Sequence, residues 1–395
     1  MRKKTVKDID VAGKRVFLRV DLNVPMDKAG FISDDSRIKA CLPTIKYLLD
    51  HDARVIICSH LGRPDGKVVE SLRLTPVARR LSELLGKPVE TLKQCIGPEV
   101  EDAIDRLRDG GVMLLENIRF HPEEEANEPN FAKALSQLAD VFVNDTFGVS
   151  HRAHASVVGV AKHLPAVSGF LMEKEIEALS GALENPKRPF AAMIGGAKVN
   201  GKLAVLENII NKVDALLIGG GMAATFLKSM GYGVGNSIVE NDRLDYVHQL
   251  MEKAKSKGTK LLLPRDSLVA EKLEAGASTK TVLVTKIPDA WTIADIGPDT
   301  IREFSAELKK CKTVVWNGPV GVFEIPKFAN GTHSMIKVLA DLEATTVIGG
   351  GSTAEAVIKM GLADKMTHVS TGGGASLEFL EGKVLPGVAV LQDKR

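Results

Sequence analysis

Residues 190–213 read FAAMIGGAKVNGKLAVLENIINKV. The apolar run 190–194 predicts a short strand, and the alternation of apolar and polar residues over 203–213 predicts a helix. At the junction, Gly195 and Gly196 let backbone N–H groups approach anything docked there. Ala197 and Lys198 follow, and Lys198 with Lys202 brings two cations to the same spot. A glycine-rich strand-to-helix turn flanked by lysines is a phosphate-binding arrangement. Taken alone, the stretch is equally a plain tight turn with solvated lysines. The recurrence of the same order along the chain decides between them.

In the first half, strands are predicted at 15–20, 54–58, 112–115 and 141–143. Helices are predicted at 37–50, 76–85, 98–108 and 130–139, the first capped from within 33–35. Short apolar strands alternating with helices argue for a mostly parallel sheet covered by helices. In such folds ligands bind beyond the carboxyl ends of the strands. The residues waiting there are Asp21, Asn23, His60, Arg63, Arg119, Asn144 and Arg152, and Arg37 near a helix start can join them. Converging guanidinium forks suit a small substrate bearing phosphate or carboxylate, although any one of these arginines could instead form an isolated surface ion pair. His151 and His154 flank Arg152, but without further ligands they suit a polar loop or packing better than zinc.

Residues 164–169, LPAVSG, break the pattern; 170–183 is a long helix candidate, and 185–189, NPKRP, is a second break. The boundaries implied are a first domain over 1–168, a connecting helix over 169–185 and a second domain over 186–384. In that second domain, strands at 215–218, 260–263, 313–316 and 345–348 run into glycine or polar turns, with a further strand at 281–284 in an excursion. The turns carry Gly219 and Gly220, then Asn317, Pro319 and Glu324, then Gly349, Gly350, Gly351, Ser352 and Thr353, and finally Gly373 and Gly374. None is G-x-G-x-x-G or G-x-x-x-x-G-K-[ST], but together with Lys198 and Lys202 they indicate a backbone-lined nucleotide phosphate site. The GYGVG stretch at 231–235 has no strong strand before it and reads as a surface loop. The fold class expected is α/β: two Rossmann-like three-layer α/β/α domains with mostly parallel sheets, separated by a cleft and joined by a helical hinge.

At 395 residues the chain exceeds one ordinary core, which agrees with two domains. A formal net charge of +2 with dispersed Lys and Arg argues against nucleic acid as a partner. The N-terminus MRKKTVKDID lacks an apolar leader and no apolar run reaches spanning length, so a cytoplasmic protein without a membrane partner is expected. Cys41, Cys58, Cys95 and Cys311 are scattered, which suggests neither a disulfide framework nor a structural zinc site.

The strings RVDLNVP (19–25), SHLGRP (59–64), LLENIRF (114–120), VNDTFGVSHRAHAS (143–156), GGAKV (195–199), WNGPVGVFE (316–324) and STGGGASLEFLEGK (370–383) stand in this order along essentially the whole chain. Together they resemble the phosphoglycerate kinase family. The resemblance implies a monomer that transfers the acyl phosphate of 1,3-bisphosphoglycerate to ADP, reversibly, giving 3-phosphoglycerate and ATP with Mg²⁺. It implies that 385–395 returns to pack on the first domain. It implies that Asp21 and Asn23 hold the glycerate end, and that His60, Arg63, Arg119 and Arg152 bind the non-transferred phosphate. Arg37 would lie beside the reacting carboxyl group, Lys198 would follow the transferring phosphoryl, and Gly373 and Gly374 would donate N–H groups near it. Lys202, Asn317, Pro319 and the 349–353 turn would serve the nucleotide, Glu324 its ribose, and the surfaces near Gly219, Gly220 and 320–323 its adenine. Closure about a hinge in 164–189 would bring the substrates together and expel water.

One departure bears on the metal. Where the family usually has an aspartate that contacts Mg²⁺, this chain has Ser352, a poorer ligand for a hard cation. Two rival readings follow: a phosphotransferase with another acceptor, or a non-catalytic or metal-altered nucleotide- or metabolite-binding homologue. The intact set of Asp21, Arg37, Arg63, Arg119, Arg152 and Lys198 argues against both.

Overall fold

The computed structural model describes residues Arg2 to Lys394; Met1 and Arg395, the outer ends of the stretches assigned above to the first domain, lie outside the described residues. The chain divides into two compact units. One takes the chain up to Glu177 and again from Val384 onward, and the other is Ala178–Lys383. The division falls inside one helix, Phe170–Glu184.

The first unit is built on six strands, β1 (Arg15–Arg19), β2 (Arg54–Cys58), β3 (Glu90–Thr91), β4 (Val112–Leu114), β5 (Val141–Asn144) and β6 (Ala166–Ser168). They form one all-parallel sheet in the order β3-β4-β2-β1-β5-β6. Successive side chains point to opposite faces of a strand, so the burial of both Val16 and Phe17 means that both faces are covered. Val16 and Leu18 pack with Ile38, Cys41, Ile45 and Leu48 of the helix Ser36–Asp50, and with Val77 and Leu81 of the helix Thr75–Leu85. On the other face Phe17 meets Phe142 with ring centroids 6.1 Å apart.

Two features depart from expectation here. The break at 164–169 contains a true edge strand, β6, whose three residues are too few to show a period. Within 33–35, the stretch expected to cap the first helix, it is Asp34 that accepts the Ser36 N–H, at 2.7 Å; the departure is that Asp35, at the N-cap position itself, is instead held by Lys39 and Arg80.

The second unit has β7 (Phe190–Ile194), β8 (Ala215–Ile218), β9 (Lys260–Leu262), β10 (Asp266–Ala270), β11 (Thr279–Leu283), β12 (Thr292–Ile296), β13 (Thr313–Asn317), β14 (Thr345–Gly349) and β15 (His368–Val369). Six of them make a parallel sheet in the order β15-β14-β13-β7-β8-β9. Met193, Leu217, Trp316 and Ile348 form its core with Phe304, Met335 and Val357 from three covering helices. The excursion is larger than the single strand expected at 281–284. It is an antiparallel sheet in the order β11-β10-β12, with Ser267 opposite Val282 and Ile296. The helix expected over 203–213 ends at Ile209, because Lys212 and Val213 turn back to bond the Ile209 carbonyl.

The second unit's sheet also explains its key turn. β7 and β13 are neighbours, and from them the chain winds outward in opposite directions, through β8 and β9 on one side and β14 and β15 on the other. The turns that leave their carboxyl ends begin at Gly195 and Gly318. A gap of this kind is where open α/β sheets place their ligands.

Candidate active site

In the first unit the strands are parallel, so the residues that follow β1, β2, β4 and β5 share one end of the sheet. Asp21 and Asn23 follow β1, His60 and Arg63 follow β2, Arg119 follows β4 in the turn Ile118–Phe120, and Arg152 follows β5. Arg37 occupies the first turn of the helix Ser36–Asp50 and pairs with the Asp21 carboxylate. Asn23 Oδ1 accepts the Gly62 N–H at 2.8 Å, so one side of this residue is used to hold the loop that carries Arg63. Arg119 is buried; it donates to the Gly62 carbonyl at 3.0 Å and approaches Glu125 at 3.3 Å. Arg63 and Arg152 are exposed and have no carboxylate partner among the described residues.

The electrostatics bring Arg37, Arg119 and Arg152, with Arg19, to two histidines; Arg63 is not among the charges these histidines feel. His60 is buried, and burial drives its imidazole well below the usual range, with Arg19, Arg119 and Arg37 pushing the same way. His154 falls to about 4, again through burial first and then through Arg119, Arg19 and Arg152. Both histidines are therefore neutral at physiological pH. A crowd of guanidinium groups held near buried neutral histidines is a receptor for an anion. Asn144 does not join it: the residue is fully buried, and its Nδ2 donates to the Gly387 carbonyl at 3.0 Å, tying the C-terminal segment to β5.

In the second unit the two turns at the sheet gap interlock. Gly195 N–H bonds the Asn317 carbonyl and Gly196 N–H bonds the Pro319 carbonyl, each at 3.0 Å. A Cβ on Gly195 would lie 2.2 Å from the Pro319 carbonyl oxygen, so only glycine allows this approach. Gly219 and Gly220 pack beneath, with Gly220 N–H on the Val320 carbonyl. Above them is a pocket of about 340 Å³ lined by Gly196, Lys202, Asn317, Gly318, Pro319, Gly350, Gly351, Ser352, Thr353, Gly373, Gly374 and Leu377. Gly195 and Gly349 are outside this lining, each next in sequence to a lining glycine. Ala197, Lys198 and Glu324 are exposed and outside its lining.

Two details of this pocket fit an anion. The Lys202 ammonium reaches the Asn317 side-chain oxygen, and burial lowers its pKa to about 8. The other end of that amide, Asn317 Nδ2, is buried without a hydrogen-bond partner beside Gly349 and Gly350. An orphan buried donor is costly, and it is satisfied if a bound group brings an acceptor. Gly350 also precedes the helix Gly351–Lys359, whose first three residues line the pocket, and the free N–H groups of a helix start favour an anion. For a divalent cation the donor set is poor. The lining holds no carboxylate, Thr353 Oγ1 is taken by the Gly318 N–H at 2.8 Å, and no cluster of three acidic, His or Cys ligands exists among the described residues.

Four residues that matter here were not singled out from sequence. Arg19 ends β1 fully buried, and the signal for it was a charge inside an apolar run. Asn117 is fully buried and joins the loops after β2 and β4, donating to the Leu61 carbonyl at 2.7 Å and accepting the Arg119 N–H at 3.2 Å. Glu124 is considered below. Glu240 accepts the N–H groups of Val199 (2.5 Å) and Asn200 (3.2 Å), which anchors the turn carrying Lys198. Nothing in the local sequence marks it, since it lies 41 positions from Val199.

The phosphoglycerate kinase family model matches residues 6–383. The chain is 56% identical over 394 residues to phosphoglycerate kinase of Moorella thermoacetica, covering 100% of both chains. It is 57% identical to cytosolic phosphoglycerate kinase of Nicotiana tabacum, covering 98% of each. Its structure resembles that of phosphoglycerate kinase from Coxiella burnetii with a TM-score of 0.91 at 43% identity, covering 98% of each chain, and that from Pyrococcus horikoshii with a TM-score of 0.84 at 37% identity and the same coverage. On a match of this extent and identity, carried by turns at the carboxyl ends of two parallel sheets, the chain belongs to the phosphoglycerate kinase family.

Proposed function

We propose that the chain carries out its family's reaction with the two sites described above. The reaction is reversible phosphoryl transfer from 1,3-bisphosphoglycerate to ADP, giving 3-phosphoglycerate and ATP. The observation that carries the assignment is the pairing of Lys202 with Asn317, whose other amide end is buried and unpartnered in a carboxylate-free, glycine-lined pocket. That combination asks for a polyanion. In this reading the second unit holds the nucleotide, with Lys202 and the turns at Gly195–Lys198 and Gly349–Thr353 on its phosphates and Glu324 at the ribose. The first unit holds 3-phosphoglycerate, with His60, Arg63, Arg119 and Arg152 on its phosphate and Asp21 and Asn23 at the glycerate. A cytosolic setting accords with the designation of the tobacco relative.

The chemistry needs no general base, because the 3-phosphoglycerate carboxylate is already ionised at neutral pH. What must be overcome is repulsion between two anions and their misalignment. Arg37 and Lys198 neutralise charge on the moving phosphoryl group, and the Gly373 and Gly374 N–H groups add fixed donors. Mg²⁺ supplies further neutralisation when it arrives on the nucleotide. This chain offers it Ser352, an exposed hydroxyl, and no charged ligand in the pocket.

Two outcomes are expected. Below about pH 8 Lys202 is charged in the free protein, and a bound phosphate raises its pKa. ADP affinity should therefore be flat up to about pH 8 and then weaken by up to about tenfold per pH unit as the free lysine loses its proton. Calorimetry across pH 7–10, roughly the span set by ordinary and lowered lysine values, checks this. Lys202→Arg should flatten the profile, and a flat profile in the unsubstituted protein would remove the assignment. For Ser352→Asp, ADP binding should become more dependent on Mg²⁺, with a difference between Mg²⁺ and chelator of several-fold in the variant and near unity in the parent. Identical titrations of the two proteins would reject a role for position 352 in metal binding.

A further inference from the structure

The first unit contains a buried charge pair that the reaction does not use directly. Arg19 is completely buried at the end of β1, and Glu124 is completely buried in the short helix Pro122–Ala126. They do not touch; Ser156 stands between them. Arg19 Nε donates to Ser156 Oγ at 2.8 Å, and Ser156 passes its own hydroxyl proton toward Glu124 Oε1 at 2.6 Å. The Ser156 N–H donates to the other oxygen, Glu124 Oε2, at 2.8 Å. Burial raises the Glu124 carboxyl and the Arg19 charge lowers it, so the pair is a linked unit. At the far side, Arg19 Nη2 lies 3.3 Å from His60 Nδ1.

A guanidinium can only donate. His60 Nδ1 must therefore be the acceptor in that contact, and the ring proton sits on Nε2. This matters at the anion site. A neutral histidine with its proton on Nε2 presents a donor there, whereas the other tautomer presents a lone pair that repels phosphate oxygen. The surroundings also suppress the charged ring, since His60 is buried and faces the fields of Arg19, Arg119 and Arg37. Tautomer control is then the only way left for this ring to attract an anion.

We propose that Glu124 and Ser156 are positioning residues: through Arg19 they fix the Nε2–H tautomer of His60, which makes the histidine a neutral hydrogen-bond donor to the substrate's non-transferred phosphate. The proposal rests on the assignment of that phosphate to the first unit. Arg19 Nη1 stays on the Val20 carbonyl, 2.5 Å away, but loss of the Ser156 hydroxyl, or of the Glu124 charge that holds that hydroxyl, releases Nε, so the guanidinium can swing about Nη1 and leave His60 Nδ1.

The test uses the full chain labelled with ¹⁵N-histidine. The parent should show an unprotonated Nδ1 and a protonated Nε2 for His60. Ser156→Ala and Glu124→Gln should each give a mixed tautomer signal. With it, the KM for 3-phosphoglycerate should rise about 3- to 10-fold, the worth of one hydrogen bond, with kcat within about twofold. In a His60→Ala background the same substitutions should no longer raise KM, because the residue they act through is gone. His60 retaining a pure Nε2–H signal in the variants overturns the proposal, as do KM losses that simply multiply those of His60→Ala. If Ser156→Ala does not fold, Glu124→Gln carries the test, because it keeps the volume and one acceptor. The assignment of the phosphate fails separately: His60→Ala with an unchanged KM removes it, while the tautomer spectra still judge the relay.

Discussion

Arg37→Ala is expected to lower kcat by about 10²- to 10³-fold, the usual loss when one preorganised donor to developing charge is removed. The size follows from where the residue stands. Its guanidinium sits at the first turn of the helix Ser36–Asp50, remains 40% exposed, and among the described residues is paired with the Asp21 carboxylate. A pair in which the arginine is 40% exposed and Asp21 is 14% exposed is only partly shielded from water and contributes little to folding, about 0–1 kcal/mol, so most of the loss should appear in turnover rather than in stability. Arg37→Lys retains the charge without the planar fork and should recover part of the rate. Steady-state kinetics with urea unfolding on the same preparations checks this. A variant within about fivefold of the parent, against the loss expected from an electrostatic role, would mean that Arg37 only orders the Asp21 loop.

Gly318→Ala should lower stability and ADP affinity together. Gly318 has φ +94°, and a Cβ there would lie 2.2 Å from the Gly195 carbonyl oxygen and 2.5 Å from its carbon. Both obstacles are backbone, so no side-chain rotation relieves them. The unfavourable φ costs about 1–3 kcal/mol and forced overpacking about 1–3 kcal/mol more. The neighbouring contacts leave no slack: Gly318 N–H bonds Thr353, and the Trp316 indole bonds the Gly318 carbonyl at 2.7 Å. Any relief of the clash must therefore separate the turns that bring Lys202 to Asn317, and ADP affinity should fall together with stability. Gly201→Ala is the control, because nothing lies within 4 Å of a Cβ there. Urea unfolding and ADP calorimetry on both variants decide the matter; equal stabilities would show that the turn adjusts freely.

The parts of this fold legible in the sequence are those where one physical cause dominates. Buried parallel strands such as β2 and β13 carry short unbroken apolar runs, VIIC and VVW, because both faces are covered, and such a run before a polar loop is hard to misread. The glycine turns were legible because close backbone approach leaves few alternatives to glycine. The edge strands β3 and β6 were not, since two or three residues carry no period. The antiparallel sheet was hidden by Pro264, which reads as a strand terminator although β10 starts only two residues later. Within the site, the cations were found because each follows a strand. The acidic and amide residues that hold them, Glu124, Asn117 and Glu240, act through the backbone or across long sequence separations. Such partners become visible only once the chain is folded.

The central claim is that the cations of the first unit and the glycine-lined pocket of the second serve one reaction. Formation of ATP from 1,3-bisphosphoglycerate and ADP by the purified protein tests it most directly. We predict turnover with Mg²⁺, retained despite Ser352 and reduced by Arg37→Ala. No ATP with either Mg²⁺ or Mn²⁺ supplied would contradict the account and leave a binding protein in its place.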